Sequence, residues 1–296
     1  MMSESETRRV GFVALAGATN VGKSTLLNRI LRRGLAIASP KPQTTRTRLL
    51  GIHCQGASQL VFIDTPGIHK GHRGIGSRMM RQAREGVREA DIVCWVVDAE
   101  HGIGRIDEHE SVQLRDRNVI VVLNKIDRKK KTELLPMMTR INELLPGVDC
   151  VPVSATSGEN VANLVKTLAC TVPEGPWLYD EDTLTDQPER VLVAEYVREQ
   201  LFLQLNEELP YRVAVVVDSF EEQKNGTRRI SATIFTDTKS SKMIIVGAGG
   251  SRIKEVGMAA RRRAEQIVGG HIYLELFVKV RGDWQDDPRF LDELGL

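Results

Sequence analysis

An α/β domain with a mostly parallel sheet, followed by a smaller α+β domain, is the architecture this sequence predicts, and three observations carry it. Short continuous apolar runs alternate with amphipathic segments from residue 8 to residue 172, the pattern of strands covered on both faces with helices between them. Three prolines and the acidic run Asp180-Glu181-Asp182 then break the alternation over residues 173–188, which reads as a linker. Beyond it, a helical segment is followed by two stretches of period 2, the mark of strands with one covered face.

In the first domain, 8–172, the runs 10–16, 60–63, 92–97, 119–123 and 150–153 are the predicted strands, and 23–33, 76–89, 107–117, 132–145 and 160–171 the predicted helices. Segments 48–54 and 58–63, separated by Gln55-Gly56-Ala57, predict one antiparallel hairpin in the sheet. The second domain, 189–281, opens on a helix with apolar positions Ala194, Val197, Leu201 and Leu205. Asp186 followed by Glu189, with Pro188 between them, has the form of a capping box for that helix. Strands at 211–220 and 228–236 meet at Asn225-Gly226; a helix near Lys242, a glycine-rich loop at 247–250, a helix at 251–268 and a strand at 272–280 follow. Residues 282–296 read as a C-terminal tail.

Two domains suit a length of 296 residues. A formal net charge of +2 is weakly basic, so nucleic-acid contact must use a local patch. Cys54, Cys94, Cys150 and Cys170 form no CxxC pair and no zinc spacing, which points to reduced thiols and a cytoplasmic setting rather than a disulfide or metal framework. Residues 1–9 are polar, and no apolar run approaches the ~18 residues of a membrane span.

Four motifs in the first domain carry chemistry. In Gly17-Ala18-Thr19-Asn20-Val21-Gly22-Lys23-Ser24, a strand leads through a glycine-rich turn into a helix. Backbone N–H groups there can surround phosphate oxygens, with Lys23 on the β- and γ-phosphates, Ser24 at a Mg²⁺ ion and Thr25 among the nucleotide contacts. Asp64-Thr65-Pro66-Gly67 ends a strand, so Asp64 faces the Mg²⁺ shell and the Gly67 N–H the γ-phosphate. Asn124-Lys125-Ile126-Asp127 selects the base: the Asp127 carboxylate can accept the N1–H and exocyclic amine of guanine, a donor pair adenine lacks. Ser154-Ala155-Thr156 lies where a second base-side loop is needed. The order reads as a P-loop GTPase domain. Gln43-Thr44-Thr45-Arg46 lies between the first two motifs, and Thr45 is the expected Mg²⁺-closing threonine. Ile68 stands where many small GTPases carry the glutamine that orients water, which predicts slow intrinsic turnover. The Arg- and His-rich stretch 69–88 is a solvated helix face or a nucleotide-responsive surface.

In the second domain, Gly247-Ala248-Gly249-Gly250 lies between two helical segments, flanked by Lys239, Lys242, Arg252 and Lys254, with Arg261-Arg262-Arg263 as a possible extension of the patch. Such a loop lets a single-stranded backbone approach main-chain N–H groups, as in KH modules, and the element order is similar to the type II KH fold. The candidate RNA contacts are Lys242, Gly247, Ala248, Gly249, Gly250, Arg252 and Lys254.

With these motifs, the Glu208-Leu209-Pro210-Tyr211 entry and the ending Leu274-Glu275-Leu276-Phe277-Val278-Lys279-Val280 then Trp284, the chain closely resembles the Era family of bacterial ribosome-assembly GTPases over nearly its whole length. The resemblance implies a monomeric GTP-hydrolysing switch that uses Mg²⁺, binds GTP and GDP, and grips the 3′ end of 16S rRNA in the immature 30S subunit. It also implies peripheral association with the cytoplasmic face of the inner membrane. Asn20 is similar to the P-loop asparagine of translation-factor-related GTPases, which makes it a candidate for holding K⁺ beside the phosphates. The expected catalytic residues are therefore Asn20, Lys23, Thr45 and Gly67. Two departures stand out: Ala248 and Gly249 replace the lysine or asparagine usual inside the loop, and Thr19 replaces a common proline. Two rivals remain open here: a tRNA-modification-type GTPase, which would lack the GxxG domain, and a nucleotide-gated RNA-binding module with negligible turnover.

Overall fold

The computed structural model describes residues 7–39, 41, 44–67 and 74–296; Gln43, Ile68 and His69 lie outside them. The chain forms two compact units, one of residues 1–36, 45–70 and 79–186 and one of residues 37–44, 71–78 and 187–296.

In chain order the first elements are β1 (Arg9–Ala16), α1 (Lys23–Leu31), β2 (Leu49–Gln55), β3 (Ser58–Asp64), α2 (Gly74–Glu89), β4 (Ile92–Asp98), α3 (Arg105–Leu114), β5 (Val119–Asn124), α4 (Lys131–Leu144), β6 (Asp149–Pro152) and α5 (Val161–Thr171). Among the described residues the sheet has six strands in the order β2-β3-β1-β4-β5-β6. It is parallel except for β2, which pairs antiparallel with β3 as the predicted hairpin. Every residue of β3 and of β4 is buried, which is why those runs are continuous rather than alternating. Register sets Leu15 beside Asp64 and Asp98 beside Asn124, so phosphate, metal and base motifs share the carboxyl edge of the sheet.

Two helix ends differ from expectation for local reasons. Helix α1 stops at Leu31 because Arg32 turns left-handed, at φ 51°, with its N–H on the carbonyls of Asn28 and Arg29. Helix α3 begins at Arg105, where the Gly104 N–H donates to the Asp107 carboxylate at 2.8 Å.

The second unit contains α6 (Glu189–Gln204), β7 (Val213–Glu222), β8 (Arg228–Thr236), α7 (Lys239–Val246), α8 (Ser251–Val268), β9 (Ile272–Val280) and α9 (Pro288–Glu293). Strand β8 is central, antiparallel to β7 and parallel to β9. Strand β7 starts later than the alternation predicts because Leu209–Arg212, with Pro210 near its start, forms a 3₁₀ turn. Asp186 is not the N-cap that the pattern suggests: Pro188 holds that position in α6 and has no side-chain acceptor to offer. Its fixed φ suits the entry to a helix, and its carbonyl accepts the N–H groups of Val191 and Leu192. Nor is 282–296 a loose tail. Trp284 and Phe290 are each 1% exposed, stacked edge to face at 6.0 Å, and Phe290 meets Phe235 at 4.9 Å. Two aromatic side chains bury enough apolar area to dock a short helix. Among the described residues, no helix is long and apolar enough to cross a membrane.

Candidate functional site

The turn between β1 and α1 forms because its glycines permit what other residues cannot. Gly22 has φ 99°, and a Cβ there would lie 2.4 Å from Asn124 Nδ2. Asn20 is left-handed as well, at φ 64°, a conformation asparagine tolerates, and it is exposed. Lys23 is almost fully buried, and its Nζ donates to the carbonyls of Gly17 and Ala18 at 2.8 Å each. Burial pulls its pKa down, against the opposing pull of Asp64 and Glu110. An ammonium so placed, held by carbonyls of the glycine-rich turn, is a ready partner for phosphate. Thr25 follows, half-buried in the first turn of α1.

Ser24, Thr45 and Asp64 converge. Ser24 Oγ donates to Asp64 Oδ2 at 2.8 Å and lies 3.0 Å from Thr45 Oγ1, which itself donates to Asp64 at 3.3 Å. Asp64 is 0% exposed, and its Oδ1 has no hydrogen-bond partner among the described residues. Burial pushes its carboxyl above the ordinary value, partly offset by Lys23, Ser24 and Thr45. A buried carboxylate with an orphaned oxygen beside two hydroxyls is an all-oxygen donor set, which fits Mg²⁺. Gly67 lies against the turn between β1 and α1: a Cβ there would meet Thr19 Cγ2 at 2.8 Å.

On the base side, Asn124 ties the loops together. Its Nδ2 donates to the Val21 carbonyl at 2.8 Å, and its Oδ1 accepts the Ala155 N–H at 3.0 Å. Ser154 and Ala155 are buried, with Ser154 Oγ accepting the Ser157 N–H at 3.1 Å. Thr156 follows, exposed. Lys125 is left-handed, at φ 65°, and its Nζ bonds Asp98 at 2.6 Å. Burial works to raise the Asp98 carboxyl, but bonds from Lys125, His101 and the Glu100 N–H hold it below its ordinary value. Asp127 stands exposed in the 3₁₀ turn after β5, open to a base.

Three participants are invisible to motif reading: Asp98, Arg29 and Glu110. Arg29 donates from α1 to the base-side loop. Glu110 is 3% exposed, and burial pushes it up to about 7, although Lys23 and a hydrogen bond with Trp95 draw it down. The folded state therefore binds a proton that the unfolded chain releases above its lower carboxylate pKa, so stability falls as pH rises through that interval and levels off above about 7. Glu110→Gln removes the penalty. The nucleotide-free variant should be more stable than wild type at pH 8 by roughly 2–3 kcal/mol, with the difference vanishing toward pH 4.5, as read by denaturant titration.

In the second unit, Gly247, Gly249 and Gly250 all have positive φ, at 75°, 57° and 81°. Gly250 is the N-cap of α8, and no side chain caps that end, which leaves its N–H groups for an anion. Ala248, Gly249, Lys239, Lys242 and Lys254 are exposed around the loop. Arg252 also stands there, but its Nη1 donates to the Ile244 carbonyl at 2.9 Å, so part of its work is holding the end of α7. Arg263 does not extend the basic patch; it pairs with Glu199 at 3.3 Å and lies over the Tyr196 ring. Beside the loop, a groove of about 260 Å³ runs between α8 and β9, lined by Ile253, Lys254, Gly257, Met258, Arg261, Tyr273, Leu274 and Leu276. The sequence shows only the helical and strand periods of these residues, not that α8 and β9 face each other.

Residues 12–125 match the family described as 50S ribosome-binding GTPase, and residues 208–285 match the KH domain. The chain is 44% identical over 301 residues to the GTPase Era of Geobacter sp. (strain M21), covering 99% of each. It is 41% identical over 296 residues to the GTPase Era of Lactobacillus delbrueckii subsp. bulgaricus, covering 99% of this chain and 98% of that one. Its fold is similar, at a TM-score of 0.93 and 38% identity over 97% of this chain, to Era in complex with MgGDPNP and nucleotides 1506–1542 of 16S ribosomal RNA. An Aquifex aeolicus Era variant bound to GDP·AlF₄⁻ matches with the same score.

Proposed function

Because this chain belongs to the Era family of GTPases, we propose that it is a GTP-hydrolysing switch that binds the 3′ end of 16S rRNA and assists assembly of the 30S subunit. It hydrolyses GTP to GDP and phosphate. The observation that carries the reading is the presence, in one chain, of the Ser24–Thr45–Asp64 triad behind a P-loop and an uncapped GxxG helix start beside an open groove. A tRNA-modification-type GTPase has no place for the second feature.

Ser24, Thr45 and Asp64 would hold Mg²⁺, which supplies positive charge to the β- and γ-phosphate oxygens. Lys23 exchanges its two carbonyl partners for phosphate oxygens, the P-loop N–H groups surround the β-phosphate, and the Gly67 N–H meets the γ-phosphate as water attacks in line. Asn124, Lys125 and the loop 154–156 hold the base, and Asp127 reads its N1–H and amine. Gly17, Val21, Gly22 and Thr25 complete the nucleotide cradle.

Chain continuity offers the coupling. Residues 37–44 belong to the second unit, where Lys41 Nζ binds the Phe202 carbonyl at the end of α6 at 2.5 Å and Arg198 binds the Thr44 carbonyl at 2.5 Å. The next residue, Thr45, belongs to the triad. Closing Thr45 on the metal therefore pulls on a peptide fastened to the RNA-gripping unit. Phosphates of the RNA would approach the loop from Gly247 to Gly250 and meet the N–H groups of Ala248 and Gly249, those of Gly247 and Gly250 being bonded to the Met243 and Gly247 carbonyls, with Lys242, Arg252 and Lys254 neutralising charge.

Single-turnover hydrolysis tests the switch. Slow turnover is expected for the protein alone, with acceleration by 30S particles. Turnover in K⁺ buffer should exceed that in Na⁺ at fixed ionic strength if Asn20 holds K⁺; equal rates would remove K⁺, and no measurable turnover in either buffer, with or without particles, would reduce the chain to a passive RNA binder.

A further inference from the structure

Helix α1 begins at the phosphate cradle and, six residues on, reaches across to the base-side loop. Arg29, in its last turn, donates through Nε to the Ala155 carbonyl at 3.0 Å and through Nη2 to the Thr156 carbonyl. The planar guanidinium can hold two adjacent carbonyls at once, which a point-charge ammonium cannot do with the same geometry. Neither bond belongs to the recognised motifs. Asn124 already fixes the Ala155 N–H and Ser154 Oγ the Ser157 N–H, but neither holds the two carbonyls between them.

A trans peptide carries its C=O and the following N–H on opposite sides. Holding the Ala155 carbonyl therefore turns the Thr156 N–H away from Arg29. At its 6-position guanine presents a keto oxygen, an acceptor, where adenine presents an amine. We propose that Arg29 is a positioning and specificity-determining residue: by pinning the carbonyls of Ala155 and Thr156, it aims the Thr156 N–H at guanine O6, the Ser154 and Ala155 N–H groups being held by Glu159 and Asn124, and locks the base site to the helix that carries the phosphates. This deepens, and rests on, the assignment of the site to guanine nucleotides.

The test compares three ligands on full-length wild type, Arg29→Ala and Arg29→Lys: GDP, 6-thio-GDP, in which only the 6-position acceptor is weakened, and Mg²⁺-pyrophosphate, which has no base. In Arg29→Ala, GDP release should quicken about tenfold, the worth of one or two hydrogen bonds to a charged donor. The preference for GDP over 6-thio-GDP should shrink, and pyrophosphate affinity should stay within about twofold of wild type. Arg29→Lys should restore part of the GDP affinity, since it keeps the charge but loses the fork. A parallel loss of pyrophosphate affinity, or an undiminished preference for GDP over 6-thio-GDP, would overturn the proposal by making Arg29 a general support of α1. Should Arg29→Ala fail to fold, the same three ligands on Arg29→Lys decide it. Failure of wild type to bind GDP at all would instead overturn the guanine assignment itself.

Discussion

Asp127→Asn should move the base preference from guanine to xanthine. The carboxylate offers acceptors to the N1–H and the amine of guanine, whereas an amide turns one of them into a donor that would face the guanine amine with no bond to make. Xanthine has a keto oxygen at that position and would accept it. A site that leaves a polar pair unmatched discriminates by about 10⁴-fold, so GTP affinity should fall by about 10³–10⁴-fold while xanthosine triphosphate becomes the better substrate. Asp127 is exposed in the nucleotide-free protein, so stability should change by less than about 0.5 kcal/mol. Competition binding with both nucleotides checks this; a variant that keeps wild-type GTP affinity would mean Asp127 does not touch the base.

Gly257→Leu is the second substitution with a large expected effect, and it acts on RNA. Gly257 lines the groove between α8 and β9, and a Cβ there would meet Leu276 Cδ1 at 3.4 Å, an ordinary contact. The branched side chain would then occupy space where a base would lie beside Met258 and Tyr273. A base packed on such a surface is worth about 1–3 kcal/mol, so affinity for a short single-stranded RNA should drop about 10–100-fold. Leucine is about 1 kcal/mol better than glycine in a helix interior, which makes unfolding a poor explanation for the loss. RNA affinity within threefold of wild type would place the strand outside this groove.

How much of this was legible in the sequence depended on where each signal resides. Helix α8 and strand β9 were readable to the residue because Gly250 and Gly269-Gly270 bracket a helical period and β-branched or aromatic residues follow at once. The P-loop, Asp64 and Asn124 were readable because backbone chemistry at those places demands particular residue types in a fixed order. Asp186 misled because a local pattern of capping residues does not fix where the first turn begins, and the N-cap of α6 falls at Pro188 instead. Trp284 and Phe290 look like tail residues until Phe235, far away in sequence, is found against them. Arg29, Asp98 and Glu110 were out of reach for the same reason: each is an ordinary charged residue whose partner is supplied by the tertiary fold. The α8–β9 groove likewise exists only once a helix and a strand are packed.

The switch itself is tested most directly by measuring the affinity of the full-length protein for a single-stranded RNA corresponding to the 16S 3′ end, once with GDP and once with a nonhydrolysable GTP analogue. Coupling through Thr44 and Thr45 predicts different affinities in the two states, with the difference abolished in Thr45→Ala. Equal affinities with both nucleotides in the wild-type protein would contradict it.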